Sequence, residues 1–206
     1  MADGVRLIHD QAQDGNHMVD HTEDSDVFTV DNLAGYDAVI WLQVSGDVLD
    51  EAGRVAFAGY LRNGGGFAAI HGPADAEWSW PEYEDIVGAR FQYHPADGNQ
   101  KADVVVEAED PSTAHLPNPW QWADEWYVFK RNPRGHKEIL LRVDESTYDT
   151  DAESMGEDHP VTWRGRYGKG RTWYTSLGHH AESYADPAFR EHLRGGIASV
   201  LRAADR

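Results

Sequence analysis

The 206-residue chain contains no cysteine. That absence removes disulfides, thiolate metal sites and any cysteine nucleophile from its chemistry. No apolar run reaches membrane-spanning length, and Met1–Gln13 has neither the basic start nor the apolar core of a secretory signal. A cytoplasmic location is therefore expected. Basic residues are scarce: 18 Lys and Arg stand against 36 Asp and Glu, a formal net charge of −18. Nucleic-acid backbones require clustered cations, so such a partner is disfavoured, and the acidity reads first as a solvated surface. Two nucleotide signatures are missing as well. "GYLRNGGGF" has no GxxxxGK[ST], and "GDVLDEAGR" lacks the glycine spacing of a dinucleotide fingerprint.

Aromatic residues are plentiful, with eight Trp and nine Tyr, which points to a folded globule rather than a disordered chain. No repeat or linker interrupts residues 1–206, so one α/β domain is expected. Val5–Gln13 reads as part of an amphipathic helix and His17–Thr22 as a weak strand. Asp37–Leu42 is continuously apolar, as in a parallel strand covered on both faces. Val48–Arg62 carries helical spacing and an acidic first turn, and Gly66–Ile70 is the next strand, completing a βαβ unit. Five further strands are read at Asp103–Ala108, Trp126–Phe129, Glu138–Val143, Val161–Tyr167 and Arg171–Ser176. Pro187–Ala203 closes the chain as a helix capped by Asp186.

Three apolar runs end in histidine: "GGGFAAIHG" at His71, "ARFQYHP" at His94 and "RTWYTSLGH" at His179. Ligands of open parallel sheets gather outside the carboxyl ends of the strands. Convergence there would let His71, His94 and His179 act as acid/base groups or hold a divalent metal, zinc suiting imidazole best. Glu125 is a second acid/base candidate. Asp124, Trp126 and Tyr127, in "QWADEWYVF", are candidates for holding a sugar, with rings on its C–H face and carboxylates on its hydroxyls. His159 and Trp163 read either as pocket walls or as strand packing. Trp80, with Trp78 and Tyr83, either lines the pocket or forms a dimer face. The acidic stretch Asp149–Asp158 lacks the EF-hand pattern and reads as a solvated loop.

"GGGFAAIHGPAD", "WSWPEYEDIVGARFQYHP", "STAHLP", "WADEWYVFKRNPRG" and "HPVTWRGRYGKGRTWYTSLGHHAESYADPAFREHLRGGI" occur in this order. Together they resemble the ThuA-like (trehalose utilisation) family, from about residue 18 to the C-terminus. The resemblance implies a flavodoxin-like parallel sheet similar to class I glutamine amidotransferase domains, with antiparallel strands in the second half. His71 then stands where those enzymes carry a cysteine nucleophile, so their thioester chemistry is excluded. It also implies a role in sugar catabolism, acting on or binding a disaccharide or 3-keto sugar, either as an enzyme or as an accessory subunit partnering an oxidoreductase. Family members usually begin with a strand and a loop before the first helix. Here that strand is expected to be missing from the middle of the sheet, between strands near Met18 and Val39. A late gene start, a rearranged sheet or a strand borrowed from another chain would each account for it.

Overall fold

A computed structural model describes residues 2–201. Its main sheet has seven strands: β1 (Ala38–Leu42), β2 (Gly66–Ile70), β4 (Gln100–Val106), β5 (Trp120–Asp124), β7 (Glu138–Val143), β8 (His159–Tyr167) and β9 (Gly170–Thr175). Their spatial order is β1-β2-β9-β8-β7-β4-β5. The first three are parallel, and every later neighbour is antiparallel. β3 (Phe91–Tyr93) and β6 (Val128–Phe129) form a separate antiparallel pair.

Helices cover both faces. α3 (Glu51–Arg62) and α4 (Tyr83–Val87) lie on one side, α1 (Ala2–Asp14) and α5 (Pro187–Val200) on the other. β2 shows why its sequence is continuously apolar. Phe67 and Ala69 enter the core beneath α3, whereas Ala68 and Ile70 enter the core beneath α5, and all four are fully buried. Asp50 starts α3 by accepting from Gly53 N–H, and Asp186 starts α5 by accepting from Ala188 and Phe189 N–H. Short α2 (Val30–Leu33) packs with α3 at the same end.

Among the described residues no strand precedes β1, in line with the missing first strand. Its expected central place is corrected: β1 pairs with β2 on one side and is the edge of the sheet on the other, so the unpaired backbone lies at the rim and not in the middle. Residues 17–22 form no strand. Met18 is almost fully exposed, its neighbours are mostly polar, and only Val19 packs partly on the core, so the segment has no alternating apolar face to bury. β5 is a strand that hydropathy reading did not separate from the aromatic run. It pairs antiparallel with β4 and buries Trp120, Trp122 and Asp124 on alternate positions.

Candidate active site

β2 ends at Ile70, and the chain turns sharply into a short 3-10 helix (Gly72–Asp75). His71 forms that turn with φ 61° and ψ −95°, a region that side-chain-bearing residues avoid. Three bonds hold it: His71 N–H donates to Thr175 O (2.7 Å), Tyr174 Oη–H donates to His71 O (3.0 Å), and the ring Nδ1 meets Ser176 O (2.7 Å). A carbonyl only accepts, so Nδ1 carries the proton and the lone pair of Nε2 faces away from the sheet. Gly72 is required because a Cβ there would sit 2.8 Å from the Gln43 carbonyl carbon.

The second histidine arrives from β9. Gly178, at φ 101°, turns the chain so that His179 Nδ1 lies 3.0 Å from His71 Nε2. Glu125, just past β5, completes a triangle: its Oε2 is 3.3 Å from His71 Nε2 and 3.2 Å from His179 Nδ1. His94 follows β3, and its Nε2 lies 3.5 Å from the other Glu125 oxygen. Three imidazoles thus surround one carboxylate. The main sheet supplies two of them and the small β3–β6 sheet supplies the third. His71 is buried, whereas the side chains of His94 and His179 are each 40% exposed, so the cluster opens to solvent on their side.

Burial alone would raise the Glu125 pKa. A hydrogen bond from His71 with its ring protonated on Nε2 as well, and the positive charges of His179, His71 and His94 in their protonated forms, outweigh it and hold the carboxyl below its usual range. Burial lowers the His179 pKa; Glu125 opposes that, and the neighbouring His71 and His180 add to the lowering. Burial pushes the Tyr127 hydroxyl up, with the nearby Glu125 charge adding to it. The Tyr127 ring centroid lies 4.4 Å from both His71 and Phe91, so the ring forms a wall of the cluster.

The adjacent carboxylates play different parts. Asp124 is fully buried and accepts from Trp122 Nε1–H and from the N–H groups of Glu125, Gly178 and His179. It shapes the His179 turn rather than meeting a ligand. Gln43, beyond the end of β1, donates from Nε2 to Gly178 O (2.6 Å) and braces the same turn. Sequence reading had not singled out Gln43; its one signal is its place directly after the end of a parallel strand.

Four other candidates lie in the interior. His159 is enclosed between Glu145 Oε1 (2.7 Å) and Tyr127 O (2.8 Å), both ring nitrogens engaged. Burial opposes the ionised Glu145, yet its bonds to His159, Ser154 and Met155 push its pKa down to about 2. Trp163 is buried and donates to Val87 O, and Trp126 is buried and donates to Gln100 O. Trp80 packs beside Tyr83 in the α3-side core, while Trp78 is the exposed member of that group. These side chains are held by packing, by backbone acceptors and, for His159, by the Glu145 carboxylate as well.

His71 Nε2, His179 Nδ1 and Glu125 Oε2 can together coordinate a metal ion. Ligands about 2.0–2.1 Å from a tetrahedral zinc stand about 3.3 Å from one another. The observed edges of 3.0, 3.2 and 3.3 Å fit that spacing, and the carbonyl on His71 Nδ1 is the usual outer partner of a metal-binding imidazole.

A family model described as trehalose utilisation, ThuA, matches residues 1–199. The chain belongs to the ThuA family. The match takes in α1, so the likeness extends further toward the N-terminus than the resemblance read from the sequence, which runs from about residue 18 onward. A solved ThuA-like protein from Bacteroides uniformis is 23% identical, with a TM-score of 0.80, and the alignment covers 95% of this chain and 82% of that one. One from Parabacteroides merdae is 21% identical, with a TM-score of 0.76 and coverage of 97% and 84%. A cytoplasmic protein from Salmonella typhimurium shares the fold at 12% identity, with a TM-score of 0.67 and coverage of 96% and 87%. None of the curated protein sequences matches the chain. No described helix is long and apolar enough to cross a membrane. In this ThuA-family chain, the histidine- and aromatic-rich region at the end of β2 and β9 is the candidate ligand site.

Proposed function

We propose that this chain is a metal-assisted cytoplasmic enzyme of sugar catabolism, acting on a disaccharide or a 3-keto sugar. The observation that carries the reading is the triangle of His71 Nε2, His179 Nδ1 and Glu125 Oε2 beside a solvent opening. The family description, trehalose utilisation, supports a sugar as the substrate class. Zinc is the metal that this donor set suits, since two imidazoles and a glutamate leave a coordination position open. When bound, it would supply Lewis acidity toward a carbonyl or hydroxyl oxygen of the sugar. Ser176 O fixes the His71 tautomer, Asp124 and Gln43 hold the His179 turn, and Tyr127 screens one side of the cluster from water. His94, half-exposed and facing Glu125, is placed to give or take a proton at a sugar hydroxyl. The strained turn at His71 supports a relation to the amidotransferase elbow, with the nucleophile replaced by a ligand.

Metal analysis, together with titration by trehalose and its 3-keto derivative, tests this. The expected result is one zinc per chain, lost in His71→Ala, and turnover abolished in that variant while sugar binding persists. Sugar binding without turnover for every metal tried would instead support the accessory-subunit reading, with an oxidoreductase as partner.

A further inference from the structure

At the opposite end of the sheet, the β8–β9 hairpin concentrates positive charge. Arg166 and Arg171 are directly opposed in the antiparallel register, and Lys169 lies in the turn between them. Opposed residues share a face with Cβ atoms about 5 Å apart, and like charges there repel. Arg164, two residues back on the same face, is neutralised by a two-pronged bond to Glu138 and a third bond to Asp110 (2.6 Å). Among the described residues no carboxylate pairs with Arg166, Lys169 or Arg171. This is unexpected where acidic residues outnumber basic ones 36 to 18.

The uncompensated charge borders a groove of about 360 Å³, whose lining includes Arg164, Arg166 and Arg171 of the hairpin, Ser199 of α5 and one carboxylate, Glu138 of β7, which Arg164 holds in its two-pronged bond. Backbone carbonyls do not account for the arrangement. Arg166 donates to Lys169 O at a long 3.4 Å and Arg171 donates to Leu201 O, yet each guanidinium has five N–H donors. Ser199 Oγ–H is committed to Gly196 O (2.7 Å), so the groove's donors are the cations. Two guanidiniums held side by side match the oxygens of one oxyanion and lose their mutual repulsion when it binds.

We infer that this groove is a binding site for a small molecule bearing an oxyanion, a phosphomonoester or a carboxylate, separate from the histidine cluster. Its volume exceeds that of a single inorganic ion, leaving room for an organic body beyond the charged group.

Calorimetric titration of the full chain at low salt tests the inference, with inorganic phosphate, glycerol 1-phosphate and propionate as probes. Wild type should bind at least one of the two organic anions saturably. Tighter glycerol 1-phosphate identifies a phosphoester site, and tighter propionate a carboxylate site. Arg166→Gln, Arg171→Gln and Lys169→Gln should each weaken that binding, the two arginine variants at least tenfold, while His71→Ala leaves it unchanged. Arg166→Gln removes half of a repelling pair and should melt no lower than wild type, whereas Arg171→Gln also gives up its bond to Leu201 O; Lys169→Gln, on an exposed turn, keeps the test available if one of them misfolds. No saturable binding by any probe, equal binding in the variants, or loss of binding in His71→Ala would overturn the inference.

Discussion

His192 should make the protein acid-sensitive by an amount that can be worked out from its surroundings. The ring is fully buried on α5, with Trp173, Trp120 and Phe189 centroids 5.1, 6.2 and 6.0 Å away. Nδ1 lies 2.7 Å from Ser112 O and Nε2 lies 3.2 Å from Thr175 Oγ1, which is in turn 2.9 Å from Thr162 Oγ1. The neutral ring satisfies this chain: Nδ1–H donates to the carbonyl, and Nε2 accepts from the hydroxyl. Burial lowers the His192 pKa to about 4, against the partial pull of the Ser112 carbonyl. The folded value therefore lies below the unfolded value of about 6.5, so the unfolded chain takes up the proton first. The stabilisation is complete above pH 6.5 and is lost as the pH falls toward 4. Linkage puts the loss at about 2 kcal/mol by pH 5 and about 3 kcal/mol in full. Glu145, with its pKa near 2, adds a loss of its own at lower pH, so the comparison belongs between pH 7.5 and pH 5. Urea unfolding of wild type and His192→Gln at those two pH values isolates the term, because every other titrating group cancels. Wild type should lose about 2 kcal/mol more than the variant. Equal losses, to within about 0.5 kcal/mol, would refute the assignment.

Asp124→Asn should cost roughly 2–4 kcal/mol, since an amide cannot accept from all four donors that converge on the carboxylate, and it should weaken the proposed zinc binding roughly 10- to 100-fold. Urea unfolding and a zinc titration measure the two effects, and a variant of parental stability and affinity would show that Asp124 does not shape the site. Gly196→Ala should destabilise by about 1–2 kcal/mol despite the better helix propensity of alanine, because its Cβ would fall 2.3 Å from the buried Trp173 ring. A thermal midpoint at or above that of wild type would contradict the packing.

The elements that sequence alone revealed are those whose cause is local. α3 has its Asp50 cap and helical spacing, β2 has an unbroken apolar run, and α5 has Asp186 and Pro187 at its start. β5 was obscured by its own aromatics, although the two-residue alternation of Trp120, Trp122 and Asp124 was present and already placed Asp124 on the buried face. Glu125, one residue later, points the other way, into the cluster. Alternation could therefore have told the two carboxylates apart, whereas composition could not. His159 illustrates a limit of another kind. Nothing near it in sequence indicates that Glu145, fourteen residues earlier, will enclose one side of the ring while Tyr127 O closes the other. The edge position of β1 was equally unreadable, because strand order depends on which long-range pairings form.

The backbone at His71 ties fold to site in a way that stability can report. A side chain at φ 61°, ψ −95° costs about 1–3 kcal/mol, which glycine would not incur. The surrounding bonds to Thr175 O and Tyr174 Oη are made by the backbone and survive any substitution of the side chain. His71→Ala and His71→Gly therefore lose the same imidazole, its Ser176 bond and its packing on Tyr127, but only the alanine variant keeps the strained Cβ. At an ordinary position glycine is the less stable of the two by up to about 1 kcal/mol. Here the order should reverse, with His71→Gly more stable than His71→Ala by about 1 kcal/mol or more in urea unfolding. If His71 is the zinc ligand proposed above, both variants should lose zinc equally, since neither keeps the imidazole. An alanine variant as stable as the glycine variant, or more so, would mean that the turn relaxes once the ring is gone. The strain would then be imposed by the imidazole and its partners rather than by the strand-to-helix connection.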